Sequence, residues 1–300
     1  MIYQRLCEIA GAENVREQEP MSRHTTFRIG GPADYFVLPH SREELAAVID
    51  FCRKEQVPWH IIGNGSNLLV GDKGVRGVVI QLFKNFQDIS IEGETVTLQA
   101  GVINSLAAKR ILDAELTGFE FAAGIPGTIG GAVVMNAGAY GGEMKDVVSG
   151  VTVLDENGAF LTLANSELEM GYRTSIIARR GYVVTEAKLS LQRGVRAEIA
   201  ARMEELKERR VTKQPLEYPS AGSTFKRPEG YFAGKLIMDA GLRGFSVGGA
   251  QVSEKHCGFV INKGGATAAD VMALMEAVQD TVEKKFGVRL EPEVKRLGEF

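Results

Sequence analysis

Ser223 is the residue whose surroundings most clearly raise a chemical question. It lies in the stretch AGSTFKRP (221–228), between a glycine and a threonine, and the cations Lys226 and Arg227 follow closely. Serine is common in turns because its hydroxyl bonds to nearby backbone groups. A nucleophilic serine would need an adjacent base, and no G-x-S-x-G elbow surrounds this one. The residues alone make a turn serine the default and leave a chemical role open.

Two glycine-rich segments have the composition of ligand-binding loops. GNGSNLLV (63–70) follows the apolar stretch WHIIG but lacks the third glycine and the helix of a dinucleotide fingerprint. A strand-turn-strand pattern of this kind can direct successive backbone N–H groups at a phosphate, although a plain tight turn is the alternative. In the second segment, from Gly124 to Gly142, ten of nineteen residues are Gly or Ala. No GxxxxGK[ST] is present, which excludes a P-loop.

The second segment has too many small residues to build a core of its own, and long loops of this kind are usually functional. Small side chains let the backbone approach a flat ligand and bond its heteroatoms. A flexible linker is the alternative, but the apolar residues Ile125, Ile129 and Val133 argue against it. The two segments together predict a large ligand that has both a diphosphate and a ring system.

Composition limits the class of protein. The 300 residues suggest roughly two domains, and 44% hydrophobic with 24% charged residues is typical of a globular protein. A net charge of −3 gives no general attraction to nucleic acid or to anionic membranes. Cys7, Cys52 and Cys257 form no CxxC pair, which argues against a disulfide framework or a zinc site. Without a signal-peptide core or a long apolar run, the chain is predicted to be cytoplasmic.

Periodicity predicts the elements that must position these segments. Helices are expected over 41–56, where Ser41 and Glu44 form a capping box, over 104–116, also capped, and over 195–210, 231–242 and 267–286. Strands are expected over 59–63, 77–82, 182–191 and 257–262, and hairpins about Glu92-Gly93 and Asn157-Gly158. The pattern changes near residue 193. We expect a strand-rich α+β domain before it and a smaller α+β domain, carrying Ser223, after it.

Six motifs occur together and in order: TTFRIGGPAD (25–34), GNGSNLLV (63–70), GIPGTIGGAVVMNAGAYGGE (124–143), GYRTS (171–175), AGSTFKRP (221–228) and LEPEVKRLG (290–298). This set resembles the UDP-N-acetylenolpyruvoylglucosamine reductase (MurB) family over nearly the whole chain from about residue 20. The resemblance implies an α+β fold with a vanillyl-alcohol-oxidase (PCMH)-type FAD-binding domain at 1–193, in subdomains of about 1–85 and 86–193. A substrate-binding domain would follow at 194–300.

The resemblance also implies an activity. The chain would be a flavoprotein oxidoreductase with noncovalent FAD and with NADPH as hydride donor, and it would reduce UDP-N-acetylglucosamine enolpyruvate to UDP-N-acetylmuramate. That reaction belongs to peptidoglycan synthesis, and so to cell wall biogenesis, cell shape and cell division. The implied partner is this small-molecule substrate, without nucleic acid or membrane, and the implied state is a monomer or weak dimer. The short interval after GYRTS indicates the shorter family type, which lacks an insertion carrying a tyrosine.

Site residues follow from the matched motifs. Ser223 would be the proton donor, Arg173 would bind the substrate carboxylate, and Glu293 would position the acid or stabilise the enol. FAD would be held by Arg28, Gly63, Asn64, Gly65, Ser66, Asn67, Gly124, Pro126, Gly127, Thr128, Gly130, Gly131, Asn136, Ala137 and Gly138. The substrate would also contact Lys213, Lys226, Arg227, Lys255 and His256, and no metal site is implied.

Simpler interpretations remain for single residues: a surface arginine for Arg173, a solvated acid for Glu293 and a structural histidine for His256. At the level of the whole chain, one rival is another FAD oxidoreductase of the same fold, such as a carbohydrate oxidase or the flavin subunit of a molybdenum hydroxylase. The other is a catalytically idle sensor that binds a nucleotide-sugar. NADPH turnover would separate the sensor from an enzyme.

Overall fold

A computed structural model describes the whole chain, Met1–Phe300. Its residues form two compact units, each assembled from three stretches of sequence. Unit 1 contains Met1–Arg16, Phe36–Asn64 and Val78–Arg210, and unit 2 contains Glu17–Tyr35, Gly65–Gly77 and Val211–Phe300. The assignment of FAD binding to residues 1–193 and of substrate binding to residues 194–300 stays a prediction about function.

Eight α-helices occur along the chain. They are α1 Ile2–Ala10, α2 Arg42–Lys54, α3 Asn104–Asp113, α4 Ile129–Val134, α5 Ile176–Arg180, α6 Arg196–Lys213, α7 Ala233–Asp239 and α8 Ala268–Phe286. The predicted N-terminus of α2 is confirmed, because Ser41 Oγ accepts a hydrogen bond from Glu44 N at 3.1 Å. The predicted capping box is incomplete, because the Glu44 carboxylate accepts from His40 N, at 2.8 Å, and not from Ser41 N. Helix α8 begins with a full capping box between Thr267 and Asp270.

The strands are mostly short. They are β1 Val15–Pro20, β2 Pro32–Val37, β3 Trp59–Ile62, β4 Leu68–Val70, β5 Val75–Gln81, β6 Ile89–Glu92, β7 Thr95–Gln99, β8 Leu116–Thr117, β9 Gly138–Ala139, β10 Gly142–Glu143, β11 Val148–Leu154, β12 Phe160–Ala164, β13 Val183–Ser190, β14 Gln192–Arg193, β15 Ser246–Val247, β16 Ala250–Val252, β17 Val260–Asn262 and β18 Lys295–Leu297. A four-stranded sheet has the order β1-β2-β5-β3, in which β3 and β5 run parallel. The mixture of helices and strands confirms the α+β class.

Unit 1 is built on a five-stranded antiparallel sheet of order β12-β11-β13-β7-β6. Both predicted hairpins are confirmed as β6–β7 and β11–β12. Gly93 adopts φ +63°, as the turn of the first hairpin requires. Apolar side chains of alternate residues, such as Val96, Leu98 and Leu189, are fully buried on the sheet. Helix α4 packs on β13 and β7, which seats the glycine-rich segment on this core.

Unit 2 has a core made by α7, α8 and the three-stranded antiparallel sheet β15-β16-β17. The inward residues of α8 recur at helical spacing and include Val271, Leu274 and Val278, each 0% exposed. A second, two-stranded sheet pairs β4 with β18 in parallel. This pair joins the end of the GNGSN turn to the segment that follows Glu293.

Two local predictions were wrong in detail. The Gly/Ala-rich segment is not loop throughout, since its centre forms the six-residue helix α4. Asn104 does not cap α3: the N-cap is Ile103, without a side-chain bond, and Asn104 is the first helical residue. Its side-chain Nδ2 donates to Ile125 O at 3.3 Å instead. The amide thus donates to the glycine-rich segment, whereas an N-cap side chain would accept from the first turn of the helix.

Candidate active site

Ser223 and Glu293 lie on adjoining segments of unit 2. The segment 220–226 is held against the C-terminal segment by bonds from Glu293 N to Thr224 O and from Lys226 N to Glu291 O, each 2.8 Å. On its other side, Thr224 N donates to Gly258 O at 2.9 Å and Thr224 Oγ1 accepts from Val260 N at 2.8 Å. Ser223 is therefore fixed next to a buried anchor, beside a carboxylate residue that is only 9% exposed.

The GNGSN turn is tied to the same segments. Asn67 Nδ2 donates to Glu293 O at 3.2 Å, and Lys295 N donates to Asn67 O at 2.9 Å. A Cβ on Gly65, whose φ is +62°, would overlap the carbonyl oxygen of His24, so only glycine fits there. Within unit 2, the predicted phosphate-binding residues and Glu293 are parts of one hydrogen-bonded assembly.

The turn that carries Arg28 joins this assembly as well. Thr26 N donates to Gly65 O at 3.3 Å, and Thr26 Oγ1 donates to Ser220 O at 2.7 Å. Arg28 itself is exposed and has φ +55°, and its N donates to Thr25 O across the turn at 3.1 Å. A left-handed conformation in a residue other than glycine is uncommon and is held here by its neighbours.

Three predicted substrate residues lie close together where α6 ends. Lys255 Nζ donates to Val211 O at 2.7 Å and lies 3.8 Å from the Glu217 carboxylate. Burial lowers the pKa of His256, and the charge of Lys213 lowers it further. His256 Nδ1 accepts from Gly258 N at 3.1 Å, which ties the imidazole to the strand segment that anchors Thr224. The neutral imidazole is the form that this environment favours.

The other two predicted substrate residues are engaged within the protein. Lys226 Nζ forms an ion pair with the Glu291 carboxylate. The guanidinium of Arg227 lies 3.9 Å from the ring centroid of Phe232, and its Nε donates to Tyr231 O at 3.3 Å. Phe232 is 60% exposed, so this stacked pair lies at the surface of unit 2.

In unit 1, the glycine-rich segment follows the sheet so closely that larger residues would not fit. Ile129 N donates to Val102 O at 2.8 Å, and Gly130 N donates to Ala100 O at 2.9 Å. A Cβ on Gly130 would lie 3.0 Å from that of Ala100, and a Cβ on Gly63 would overlap Thr128 Oγ1. Gly131 differs, because a Cβ there would meet only Thr128 Oγ1, at 3.9 Å. Its backbone borders open space.

Asn104 supplies a test of whether these residues suit FAD. Its side chain is 1% exposed, and its Oδ1 is buried without a hydrogen-bond partner. Asn104 N donates to Gly127 O at 3.1 Å, so the unpaired acceptor lies beside the glycine-rich segment. A buried acceptor without a donor is costly, and an N–H or O–H of a bound polar ligand would relieve that cost. Together with the close-packed glycines, it fits a large polar cofactor such as FAD.

Arg173 lies at the tip of a tight turn in unit 1. Gly171 and Thr174 close this turn with two backbone hydrogen bonds, from Gly171 N at 3.0 Å and from Thr174 N at 3.3 Å. Arg173 has φ +56°, and its guanidinium carbon lies 5.3 Å from the ring centroid of Tyr172, which is 55% exposed. The predicted carboxylate-binding arginine is thus held in a defined and unusual backbone conformation.

Arg210 was not among the predicted site residues. It lies at the glycine-rich segment, since a Cβ on Gly124 would be 3.2 Å from its Cδ and 3.3 Å from its Nη1. Burial lowers the pKa of this guanidinium, and the structure pairs no carboxylate with it. The sequence carries no signal for this position, because Arg210 stands in a charged helix among other basic residues.

Two negative findings also bear on the site. No group of three or more His, Cys, Asp or Glu side chains is arranged so as to hold a metal ion. No helix has both the length and the apolar character needed to cross a membrane.

Comparison with known families assigns both parts of the chain. Residues 33–164 match the FAD binding domain family, and residues 214–297 match the family described as "UDP-N-acetylenolpyruvoylglucosamine reductase, C-terminal domain". Fold and site thus define a flavoprotein whose FAD-binding domain is of the PCMH type. The chain belongs to the UDP-N-acetylenolpyruvoylglucosamine reductase family.

Relatives named UDP-N-acetylenolpyruvoylglucosamine reductase match over their full length. The protein of Lachnoclostridium phytofermentans is 56% identical, with 100% of this chain and 98% of the relative covered. That of Caldanaerobacter subterraneus subsp. tengcongensis is 55% identical, with 100% and 99% covered. These values confirm the family that the six motifs indicated.

Solved structures agree. The structure of UDP-N-acetylenolpyruvylglucosamine reductase from Thermus caldophilus has a TM-score of 0.82 and 38% identity, with 94% of this chain and 99% of that chain covered. A berberine bridge enzyme variant, described as a reticuline dehydrogenase, has a TM-score of 0.51 and 20% identity, with 65% and 44% covered. The second likeness concerns the fold alone.

Proposed function

We propose that this chain reduces the enolpyruvyl ether of UDP-N-acetyl-3-O-(1-carboxyvinyl)-glucosamine to UDP-N-acetylmuramate, with NADPH as hydride donor and noncovalent FAD as cofactor. The observation that carries the proposal is the hydrogen bond from Glu293 N to Thr224 O, 2.8 Å long. It brings a hydroxyl that can donate a proton and a buried carboxylate onto adjoining segments, in a chain of this reductase family.

The reaction requires a group that carries hydride. Bound FAD supplies the transfer of hydride from NADPH to the enolpyruvyl double bond. In unit 2 we assign its binding to Arg28, Gly65, Ser66 and Asn67, and in unit 1 to Gly63, Asn64, Gly124, Pro126, Gly127, Thr128, Gly130, Gly131, Asn136, Ala137 and Gly138. Asn104 and Arg210 are added to this set, Asn104 for its unpaired acceptor and Arg210 for its half-buried guanidinium beside Gly124.

The chain's own residues handle the charge and the proton. When hydride adds to the terminal carbon of the vinyl group, negative charge develops on the carbon bearing the carboxylate and delocalises into that carboxylate. Arg173 is assigned to hold the carboxylate, because a guanidinium offers a planar fork of donors. The Oγ–H of Ser223 would donate the proton that this carbon needs. Glu293 is assigned to position the acid or to stabilise the enol form.

The nucleotide-sugar needs further polar contacts. Lys213, Lys226, Arg227, Lys255 and His256 are assigned to these, with cations suited to the diphosphate. Lys226 would have to exchange its ion pair with Glu291 for a contact with substrate. The proposal also includes a cytoplasmic location and a monomer or weak dimer.

The test is anaerobic turnover by the purified protein. We expect a yellow protein that NADPH bleaches and that the enolpyruvyl substrate restores to yellow. A sensor would bind the nucleotide-sugar without consuming NADPH, and a carbohydrate oxidase would be bleached by a sugar instead. Either result would overturn the proposed function.

A further inference from the structure

The turn Gly171–Thr174 is held from outside by side-chain hydrogen bonds. A non-glycine residue in the left-handed region, such as Arg173 at φ +56°, persists where its surroundings impose that conformation. The two backbone hydrogen bonds that close the turn lie within it, so they do not attach it to the rest of unit 1.

Two buried side chains provide the attachment, one on each side of the turn. Asn136 Nδ2 donates to Gly171 O at 3.2 Å, and Asn136 is 1% exposed. Ser175 Oγ donates to Val134 O at 2.8 Å, and Ser175 is 0% exposed. We call Val134, Asn136, Gly171 and Ser175 the clasp. It connects the glycine-rich segment to the residues on both sides of Arg173.

The amide of Asn136 is fully used as a donor within the protein. Besides its bond to Gly171 O, Nδ2 donates to Glu143 Oε2 at 2.6 Å, and Oδ1 accepts from Lys145 N at 2.9 Å. An amide nitrogen has two N–H groups, so neither is left for a ligand. Any contact of this residue with FAD would come from its backbone or its remaining acceptor capacity.

We infer that Asn136, supported by Ser175, is a positioning residue that orients the turn carrying Arg173. The inference rests on the proposed function, in which Arg173 holds the substrate carboxylate. A guanidinium at the tip of a short turn moves with that turn, and a misplacement of about 1 Å at a reacting group can cost about 10²-fold in rate. The clasp also connects the glycine-rich segment, to which FAD binding is assigned, with this turn.

Asn136 has φ +42°, which makes informative substitutions available. Asn136→Gly removes the side chain while leaving a backbone that accepts positive φ without strain. Asn136→Asp keeps the shape and the acceptors, but a carboxylate cannot donate to Gly171 O and would face the carboxylate of Glu143. Asn165→Ala is the control, because the amide of Asn165 also donates two hydrogen bonds, in its case to Lys145 O and Val148 O.

The experiment uses FAD-saturated protein and measures the two flavin half-reactions by stopped flow. For Asn136→Gly and Asn136→Asp we expect reoxidation by the enolpyruvyl substrate to slow by about 10- to 100-fold. In these two variants reoxidation should slow more than bleaching by NADPH does, and Asn165→Ala should be parental in both half-reactions. Amide hydrogen exchange of residues 171–174 should be faster in the two Asn136 variants and unchanged in the control.

Four outcomes would overturn the inference. Parental reoxidation in Asn136→Gly, with slow reoxidation in Arg173→Lys, would refute the positioning role and leave the role of Arg173 intact. Parental reoxidation in Arg173→Lys would refute both. Equal slowing of both half-reactions, or equal effects in Asn165→Ala, would mean that Asn136 acts only through general stability.

Discussion

The serine in AGSTFKRP is the residue to which we assign the proton transfer. Its neighbours Gly222 and Thr224 determine its setting, because Gly222 takes φ +75° and Thr224 is bonded on both sides. The simpler expectation is that Ser223 serves a turn, but the residue with the left-handed backbone conformation is its neighbour Gly222. What distinguishes Ser223 is that Glu293 lies on the adjoining segment.

Replacing Ser223 by alanine should separate the two half-reactions. A general acid contributes about 10² to 10⁴ in rate, or roughly 3 to 5 kcal/mol, so reoxidation of the flavin by substrate should slow by that factor. NADPH should still bleach the flavin, since that step takes no proton from Ser223, and Ser223→Cys should recover part of the rate. Stopped-flow absorbance measures both steps, with Ser220→Ala as the control serine. Reoxidation at the parental rate would mean that Ser223 is not the proton donor and serves only the turn.

Arg173→Lys keeps the charge but loses the planar fork. A charged hydrogen bond is worth about 1.5 to 3 kcal/mol, so we expect turnover to fall about 10- to 100-fold. Bleaching by NADPH should be nearly unaffected. Steady-state and single-turnover rates measure this difference. If the lysine variant reduces the substrate at the parental rate, Arg173 is not the group that holds the carboxylate.

His256 makes a pH-dependent contribution to stability. Burial lowers its folded-state pKa below the ordinary value of about 6.5, so below that pH the unfolded chain binds a proton that the folded chain does not. The contribution of neutral His256 to the free energy of unfolding is complete above about pH 6.5 and is lost as the pH falls toward the lowered pKa. His256→Gln should therefore lose less stability than the parent between about pH 7.5 and 5.5. Urea unfolding at both pH values measures this, and parallel losses would contradict it.

At the scale of elements, the GNGSN turn depends on Gly65. Gly65→Ala should reduce the FAD content of the purified protein, because a Cβ there would overlap the carbonyl oxygen of His24. Gly93 is the matched control, since its φ of +63° is almost the same and a Cβ would meet nothing within 4 Å. Gly93→Ala should therefore lower the free energy of unfolding, measured with urea, by only the backbone cost of about 1 to 2 kcal/mol. Its FAD content should be normal. Equal FAD content in both variants would contradict the role given to Gly65.

Elements with local signals could be predicted from the sequence, and those that depend on distant partners could not. The N-cap of α2 and the hairpin turns at Gly93 and Gly158 depend on residues that are adjacent in the sequence, and these predictions are confirmed. Helix α4 was missed because the glycines around it lower helix propensity, and packing on β13 and β7 overrides that. The cap expected for α3 was wrong because Asn104, the polar residue at the start of this helix, bonds to Ile125, which is 21 residues away in the sequence.

At the scale of the whole molecule, the chain does not divide at one point. Residues Glu17–Tyr35 and Gly65–Gly77 belong to the compact unit formed by Val211–Phe300. The parallel pairing of β4 with β18 and the bond from Asn67 to Glu293 attach Gly65–Gly77 to this unit. The bond from Thr26 Oγ1 to Ser220 O attaches Glu17–Tyr35. A single sequence shows periodicity but not which distant strands pair. The six motifs supplied what periodicity lacked, namely the family to which the chain belongs.

The central claim is that the chain transfers hydride from NADPH to the enolpyruvyl ether. The most direct measurement is the mass of the nucleotide-sugar product after anaerobic incubation of the FAD-loaded protein with NADPH and the enolpyruvyl substrate. We expect a product heavier by two hydrogens, with one NADPH consumed per product, and almost no such product with Ser223→Ala over the same time. An unchanged nucleotide-sugar, or NADPH consumption without a heavier product, would contradict it.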